Sequence, residues 1–410
     1  MRPMPGTFAL MFTPIAKRGL AAVVALSAAL AMTGCSNGGQ GASTGTGVRA
    51  VIGIGSPITQ GDVAFGQGIE RGVQLAIKKA NELQDAKTLG ITFASVTGDD
   101  LSDPKAGTTV ANTFAANREL VGVVGHFNST VSIAASKVYN DKNIVAISPG
   151  STNPALTEQG FNTIFRTTAT DAVQGPVGAE RAWGLGFKKA AVVNDSSTYG
   201  AGLAKAFSDR FVELGGAILL DEATQQKQSD FTALATKIAA LGADVVYFGG
   251  TYAADTGAGA LFSRQLKAAG VTVPVMGGDG LFAQEFIDLV GNADGDLATC
   301  PGMPPDLLPQ GADFKAAFAA AFPGKNIAAF DAYAYDAAWA IVLATIQVAK
   351  DLGAKEITSP RGRDALKAAV AGIKFDGVTG PVSFDEKGDN NNQAITLYKV
   401  VNGAWVPQPQ

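Results

Sequence analysis

The sequence predicts an α/β fold built as two doubly wound parallel-sheet lobes. Short apolar runs alternate with longer stretches of helical period, as stacked βαβ units require. That series runs through the chain twice, so two similar lobes are expected. Length agrees: without an N-terminal leader of 34 residues, 410 − 34 = 376 remain, more than a single core ordinarily holds. In the first series, strands are expected at 50–54, 91–97, 121–125 and 144–147, with helices at 66–84, 104–117 and 129–140, where apolar residues recur at helical spacing. Helix starts carry their punctuation: in Ser102, Asp103 and Pro104 an acidic cap precedes a proline at the first helical position. The second series places strands at 190–193, 217–220, 245–248 and 273–276 and helices at 201–214, 231–241 and 257–269. Residues 331–351 read as one long alanine-rich helix, and 379–384 and 394–401 as late strands.

The leader reads as an address and not as part of the fold. Lys17 and Arg18 precede an apolar run, 19–31, which is too short and too alanine-rich for a stable membrane span. Met32, Thr33, Gly34 and Cys35 follow, and they resemble the lipobox of bacterial lipoproteins, with Met32 where leucine is usual. That resemblance implies a lipoprotein signal peptide over 1–34 and a lipid on Cys35; the alternative is a plain signal peptide cleaved nearby, with Cys35 incidental. Residues 35–47 are polar and glycine-rich, a composition that behaves as a flexible tether. With 32 basic against 36 acidic residues and no basic patch, nucleic acid is not expected as a partner. Once Cys35 is lipidated, Cys300 has no thiol to pair with, and it reads as a small buried residue in preference to a reactive thiol. One histidine and no CxxC leave no zinc site of imidazole and thiolate, and no cofactor is expected.

Ligands of open parallel sheets collect beyond the carboxyl ends of the strands. After 121–125 come His126, Phe127, Asn128 and Ser129, and after 144–147 come Ser148, Pro149, Gly150, Ser151 and Thr152. Both stretches place hydroxyls and backbone N–H groups where a loop opens a helix, which suits a carboxylate or phosphate. The second series offers 195–199, then Gly249, Gly250, Thr251 and Tyr252, then Asp279 between glycines that let a ligand approach the backbone. Anion donors on one lobe and a carboxylate with aromatics on the other suit a zwitterion such as an amino acid.

Longer stretches carry a family resemblance. Val123–His126 with Ser129, residues 147–157, Phe165–Thr168 with Gln174–Pro176, Asp195 with Tyr199 and Gly200, and Asp385–Asp389 resemble, in this order, the leucine/isoleucine/valine-binding proteins of ABC importers. The resemblance spans essentially the whole mature chain. It implies a type I periplasmic-binding-protein fold: two lobes joined by three crossovers, near 166–168, 299–302 and 381–384, that close on a ligand. Lobe 1 would then be 48–166 plus 302–382, and lobe 2 would be 167–301 plus 383–410. By the same resemblance, Ser129 is the carboxylate-binding serine, Thr152 the second hydroxyl position beside Ser151, and Gly150 the residue whose carbonyl accepts from the ammonium. Asp279 stands where the branched-chain prototype has glutamate, Tyr199 is the covering aromatic, and Thr251 or Tyr252 takes a tyrosine position. Phe65 replaces a tyrosine, and Ser102 and Asn128 replace the prototype's disulfide cysteines. The implied partners are an amino-acid ligand and ABC permease subunits, for a monomer held by lipid at the outer face of the cell membrane.

Other readings compete. Ser129 and Thr152 also suit ordinary helix caps, Asp279 a glycine-flanked turn, and Tyr199 packing between lobes. A hydrolase would need Ser129 and His126 to act together, yet there is no GxSxG elbow, and His126 reads as a hydrogen-bonded scaffold residue. The GIGSP stretch at 53–57 lacks the third glycine of a dinucleotide fingerprint. A sensor that reports an amino acid, urea or a short amide without importing it shares the same fold expectations. Asn128, Ser129 and Thr130 match a glycosylation sequon, taken as accidental in a bacterial-type lipoprotein.

Overall fold

Apolar runs too short for helices pair into two sheets, and the longer amphipathic stretches cover them. The computed structural model describes residues 47–304 and 307–409, so the leader, Cys35 and the tether up to residue 46 lie outside the described residues. The chain begins with β1 (Val48–Ser56), α1 (Val63–Glu82), α2 (Gln84–Leu89), β2 (Ile91–Asp99) and α3 (Pro104–Ala116). It continues through β3 (Leu120–Gly125), α4 (Ser129–Asp141), β4 (Ala146–Ser148) and β5 (Ile164–Arg166). A second series follows: α5 (Asp171–Gly184), β6 (Lys189–Asn194), α6 (Thr198–Glu213), β7 (Ala217–Ala223), α7 (Thr232–Ala239), β8 (Val245–Gly249), α8 (Gly259–Ala268), β9 (Val275–Gly277), α9 (Gln284–Val290) and β10 (Leu297–Pro301). The last part holds α10 (Gly311–Ala321), α11 (Asp331–Leu352), α12 (Pro360–Ala371), a hairpin of β11 (Lys374–Gly377) and β12 (Gly380–Ser383), and β13 (Ile395–Val401) with β14 (Ala404–Pro407).

The five-stranded sheet has the order β2-β1-β3-β4-β5, and every neighbouring pair is parallel. The seven-stranded sheet has the order β7-β6-β8-β9-β10-β13-β14. Its β6 to β10 pairs are parallel, while β13 and β14 add an antiparallel edge. Both series therefore share one winding, with strand order reversing beside β1 and β3 in one sheet and beside β6 and β8 in the other. A crevice forms at such a reversal, beyond the carboxyl ends of the strands.

The chain changes sheets three times. It leaves the five-stranded sheet after Arg166 for α5, which packs on α6, β10 and β13. It returns after Pro301 to α10 and α11, which lie on α1, and α11 also covers β3. It crosses again from β12 to β13. The long helix expected at 331–351 is α11, whose alanines let it pack closely against α1 with most of its length buried.

Arg166 pins two of these crossings. Its guanidinium is fully buried and donates to Asp389 (2.6 Å), to the carbonyls of Ser151 (2.7 Å) and Asn153 (3.0 Å), and to Thr157 Oγ1 (2.8 Å). Three of these four acceptors belong to the loop after β4, so the loop's shape depends on this side chain, and the fourth, Asp389, lies in the third crossing.

Differences from the sequence expectation are local. Helix α5 was not singled out because Gly175 and Pro176 look like breakers, yet Pro176 lies inside it. Gly175 is required there: a Cβ would sit 2.5 Å from the Ala206 side chain on α6. Strands 144–147 and 273–276 begin two residues later, and helix 66–84 starts earlier and breaks at Leu83. Cys300 is buried in β10, and burial pushes its thiol pKa well up, as expected of a packing residue. Because Arg166→Met leaves Asp389 and two carbonyls without their partner, it should lower unfolding free energy by about 3–5 kcal/mol, read from urea denaturation followed by circular dichroism.

Candidate functional site

Where β3 ends, the chain turns directly into α4, and Asn128 stands at the helix N-cap. Asparagine there ordinarily satisfies a free N–H of the first turn. Here it makes no such bond. Three helices, α3, α6 and α12, are closed by their caps: Asp103 accepts from Lys105 and Ala106, Ser197 from Gly200, and Ser359 from Gly362, whereas α1, α5 and α11 share the absence of a side-chain cap bond with α4. The first turn of α4 thus keeps the positive end of its dipole and its N–H groups open toward the crevice.

Asp62 is the reason. It lies just before α1, fully buried, and its Oδ2 accepts the Asn128 amide at 2.8 Å. Its Oδ1 accepts from Thr256 Oγ1 (3.1 Å), and its backbone N–H donates to Ser102 Oγ (3.2 Å). Ser102 and Asn128, on the loops after β2 and β3, are joined here through Asp62. Burial raises the pKa of Asp62 to about 6, against the opposing bonds from Asn128, Thr251 and Thr256.

The same strand end carries a scaffold. His126 is fully buried, with Nδ1 2.7 Å from Asp100 and Nε2 2.9 Å from the Tyr139 hydroxyl. Its carbonyl accepts from Ser148 (2.7 Å) and Ser132 (3.0 Å), which ties the loops after β3 and β4 together. No hydroxyl of Ser129 approaches its ring, so the serine–histidine pair of a hydrolase is not assembled.

Opposite α4, the loop after β9 presents Asp279, 2 % exposed, in a single 3-10 turn. The Tyr199 hydroxyl, from the start of α6, donates to Asp279 Oδ1 (3.0 Å) and accepts from the Gly280 N–H (3.0 Å). Burial lifts Asp279 to a pKa of about 6, opposed by its bonds from Gln174 and Tyr199. Asp171, in the first turn of α5, is also buried, and neither of its carboxylate oxygens has a hydrogen-bond partner. Its pKa rises to about 8, through burial first and the charge of Asp279 second, opposed by the nearby Thr152 hydroxyl, which lies outside ordinary hydrogen-bond geometry, and by the charge of Arg166. Asp279 lines the crevice, and Asp171 and Thr152 are buried behind its lining. A buried carboxylate at the crevice with a second one near it favours a cation with several N–H groups.

The crevice is a narrow cleft of about 50 Å³, lined among others by Phe127, Ser129, Gly150, Tyr199, Thr251 and Asp279. Ser129, Gly150, Tyr199 and Asp279 are therefore brought together as the sequence suggested. Of the pair left open, Thr251 lines the cleft, while Tyr252 packs edge-on against Phe65 at 5.5 Å between ring centroids. Phe65 itself is buried behind the cleft among Phe127 and Phe330 (4.9 and 5.2 Å). Ser151 turns its hydroxyl inward to Ser132 Oγ (2.6 Å) and the Phe127 carbonyl (2.8 Å), so it supports the loop. Sequence reasoning did not single out Asp62, Asp171 or Thr256. Asp62 and Thr256 sit in glycine-flanked loops that look like ordinary turns, and Asp171 looks like a first-turn helix acid. A larger groove of about 650 Å³ lies near Lys267, Asp296 and Lys399, away from these strand ends, and its Lys267–Asp296 pair (2.9 Å) is already matched.

Direct bonds cross the cleft. Thr198 N–H donates to Thr130 Oγ1 (3.2 Å), Asn153 Nδ2 to the Thr198 carbonyl (2.8 Å), and Gly61 N–H to Asp255 (2.9 Å), alongside Thr256 to Asp62. The described conformation is thus a closed one.

Comparison with known proteins agrees with this geometry. The profile of the periplasmic binding protein family matches residues 50–404. The Leu/Ile/Val-binding protein homolog 1 of Brucella melitensis is 37% identical over 357 residues, covering 86% of this chain and 91% of that protein. The leucine-, isoleucine-, valine-, threonine- and alanine-binding protein of Pseudomonas aeruginosa is 32% identical over 391 residues, covering 93% and 97%. Among solved structures, a leucine-binding protein from Thermotoga maritima superposes with a TM-score of 0.77 at 26% identity, covering 88% of this chain and 98% of that one. The chain belongs to the periplasmic binding proteins, in the family of the Leu/Ile/Val-binding proteins.

Proposed function

We propose that this protein is the solute-binding component of an ABC importer, not an enzyme, and that it captures an α-amino acid between its two sheets for delivery to a membrane permease. The observation that carries the reading is the uncapped N-terminus of α4 facing the buried carboxylate of Asp279 across one cleft. An α-carboxylate fits the open N–H groups of α4 with the Ser129 hydroxyl, whose oxygen already accepts from Asn153 N–H (3.3 Å) and so turns its proton outward. The α-ammonium fits Asp279 and the Gly150 carbonyl, under the Tyr199 ring, while Thr152 is buried and does not line the cleft. The ligands named for the relatives, leucine, isoleucine and valine first and threonine and alanine also, support a small or branched uncharged side chain.

Lobe 1 is proposed as 48–166 plus 302–382 and lobe 2 as 167–301 plus 383–410, moving about the crossings that Arg166 holds. Closure is favoured by contacts that the open form lacks, those to the ligand and those between lobes. Lipid on Cys35, read from residues 32–35 alone, would keep the monomer at the outer face of the cell membrane near its permease.

Asp279→Ala combined with Ser129→Ala should weaken amino-acid binding about a hundredfold or more, since two charge-assisted contacts are lost; calorimetry with the family's amino acids measures it, and undiminished affinity rejects the assignment. Proton linkage gives a second expectation. A carboxyl whose pKa is raised in the folded state holds its proton more tightly there, so the unliganded fold gains stability as pH falls through about 6 toward 4. An ammonium pairs with the ionised form, so ligand affinity should move the opposite way, full near pH 7.5 and falling up to about tenfold per unit below pH 6. Melting temperatures with and without ligand across this range read both trends.

A further inference from the structure

The two ends of the cleft are occupied, on the reading above, by the α-carboxylate and α-ammonium, which leaves one wall for the ligand's side chain. That wall is formed by Ser102, Asn128, Thr251 and Thr256, with Asp62 directly behind it. Apolar lining is confined to Pro104, Phe127 and the ring of Tyr199. Gln226, also at the cleft, is an exposed side chain at its mouth.

Asp62 decides which atoms of the wall face the ligand. Because its carboxylate accepts from Asn128 Nδ2 at 2.8 Å, the amide has one orientation, and Asn128 Oδ1 points away, buried and without a partner. Thr256 has a single proton and two acceptors in reach, Asp62 Oδ1 (3.1 Å) and the Ala253 carbonyl (3.2 Å). The charged acceptor is the stronger. With that proton committed, the 2.7 Å contact between Thr251 and Thr256 requires Thr251 to donate, and Thr251 in turn accepts from the Gly257 N–H (3.2 Å). Ser102 Oγ accepts from the Asp62 N–H (3.2 Å) and also has Asp62 Oδ2 within 3.5 Å for its own proton. The hydroxyl protons of the wall all run toward Asp62, directly or through Thr256, and so does one of the two Asn128 N–H groups. What remains is the hydroxyl lone pairs, the unpartnered Asn128 Oδ1 and a single second Asn128 N–H, so acceptors predominate.

We infer that this acceptor-rich wall selects an amino acid whose side chain carries a hydroxyl or amide donor, such as threonine or asparagine, over a branched aliphatic side chain of the same shape. An aliphatic group placed there buries Asn128 Oδ1 permanently unpaired, whereas an O–H or N–H satisfies it. Sites built to bond a donor discriminate strongly against the analogue lacking it, while an apolar pocket discriminates weakly in the opposite sense. The inference rests on the amino-acid reading and narrows it.

Two near-isosteric pairs test it: threonine against valine, and asparagine against leucine, each titrated calorimetrically into the purified protein at pH 7.5. The expected result is binding of the donor-bearing member at least about tenfold tighter in one pair or both. Asn128→Leu should cut that ratio to about one or invert it. Thr251→Val, which keeps shape and removes one hydroxyl from the wall, should lower the same ratio without inverting it and serves if the first variant does not fold. Tighter binding of valine and leucine than of their partners by the wild-type protein overturns the inference and leaves amino-acid capture standing. A wild-type preference unchanged in either folded variant overturns the assignment to this wall. Failure of every amino acid to bind overturns both readings.

Discussion

A single carboxylate, Asp62, determines how the cleft is presented. By holding the Asn128 amide at 2.8 Å it prevents the N-cap residue from closing α4, so the helix dipole and its first N–H groups stay available. The same group joins the loop after β2 to the loop after β3. It also reaches Thr256 across the cleft, so it acts within one lobe and between the two. A disulfide would join the same two loops without fixing an amide's orientation or ordering hydroxyl protons. The polar substitute does both, at the cost of burying a charge that desolvation pushes toward its neutral form.

From that arrangement follows an asymmetry along the cleft. At α4 the protein offers donors; at Asp279, with Asp171 behind it, it offers buried carboxylates, of which Asp171 has the charge of Arg166 to oppose its burial. The buried carboxylate of Asp279, which also raises the proton affinity of Asp171, is costly to ionise in an empty closed form, and an ammonium relieves that cost directly. Closure without ligand is opposed by this cost, and closure with ligand is favoured by its removal. The hydrogen bonds between Thr198 and Thr130, Asn153 and Thr198, and Gly61 and Asp255 then hold the lobes together. Arg166 keeps the loop after β4 fixed while the lobes move, because its partners include both that loop and the third crossing.

Much of this was legible in the sequence because strand ends and helix starts have local signatures. The β3–α4 and β8–β9 regions announced themselves by apolar runs followed by small polar residues, and Ser129, Gly150, Tyr199 and Asp279 meet as their positions suggested. Helix α5 was hidden by Pro176, whose missing N–H is tolerated because the helix packs closely on α6 through Gly175. Ser151 and Tyr252 were ambiguous for a reason of period: a neighbour one residue away faces the opposite direction, and only packing decides which of two reaches the ligand. Asp62 was invisible because its partners are 40, 66 and 194 residues distant. No local pattern encodes such a contact, although an acid in a glycine-flanked loop just before an apolar helix is where one would begin to look.

The most direct measurement is a crystal structure of the protein grown with the tightest-binding amino acid. The account requires the α-carboxylate within hydrogen-bond distance of the Ser129 hydroxyl and the first N–H groups of α4, the ammonium against Asp279, and the Asn128 amide still turned to Asp62. A ligand bound the other way round, or an Asn128 side chain capping α4, would contradict it.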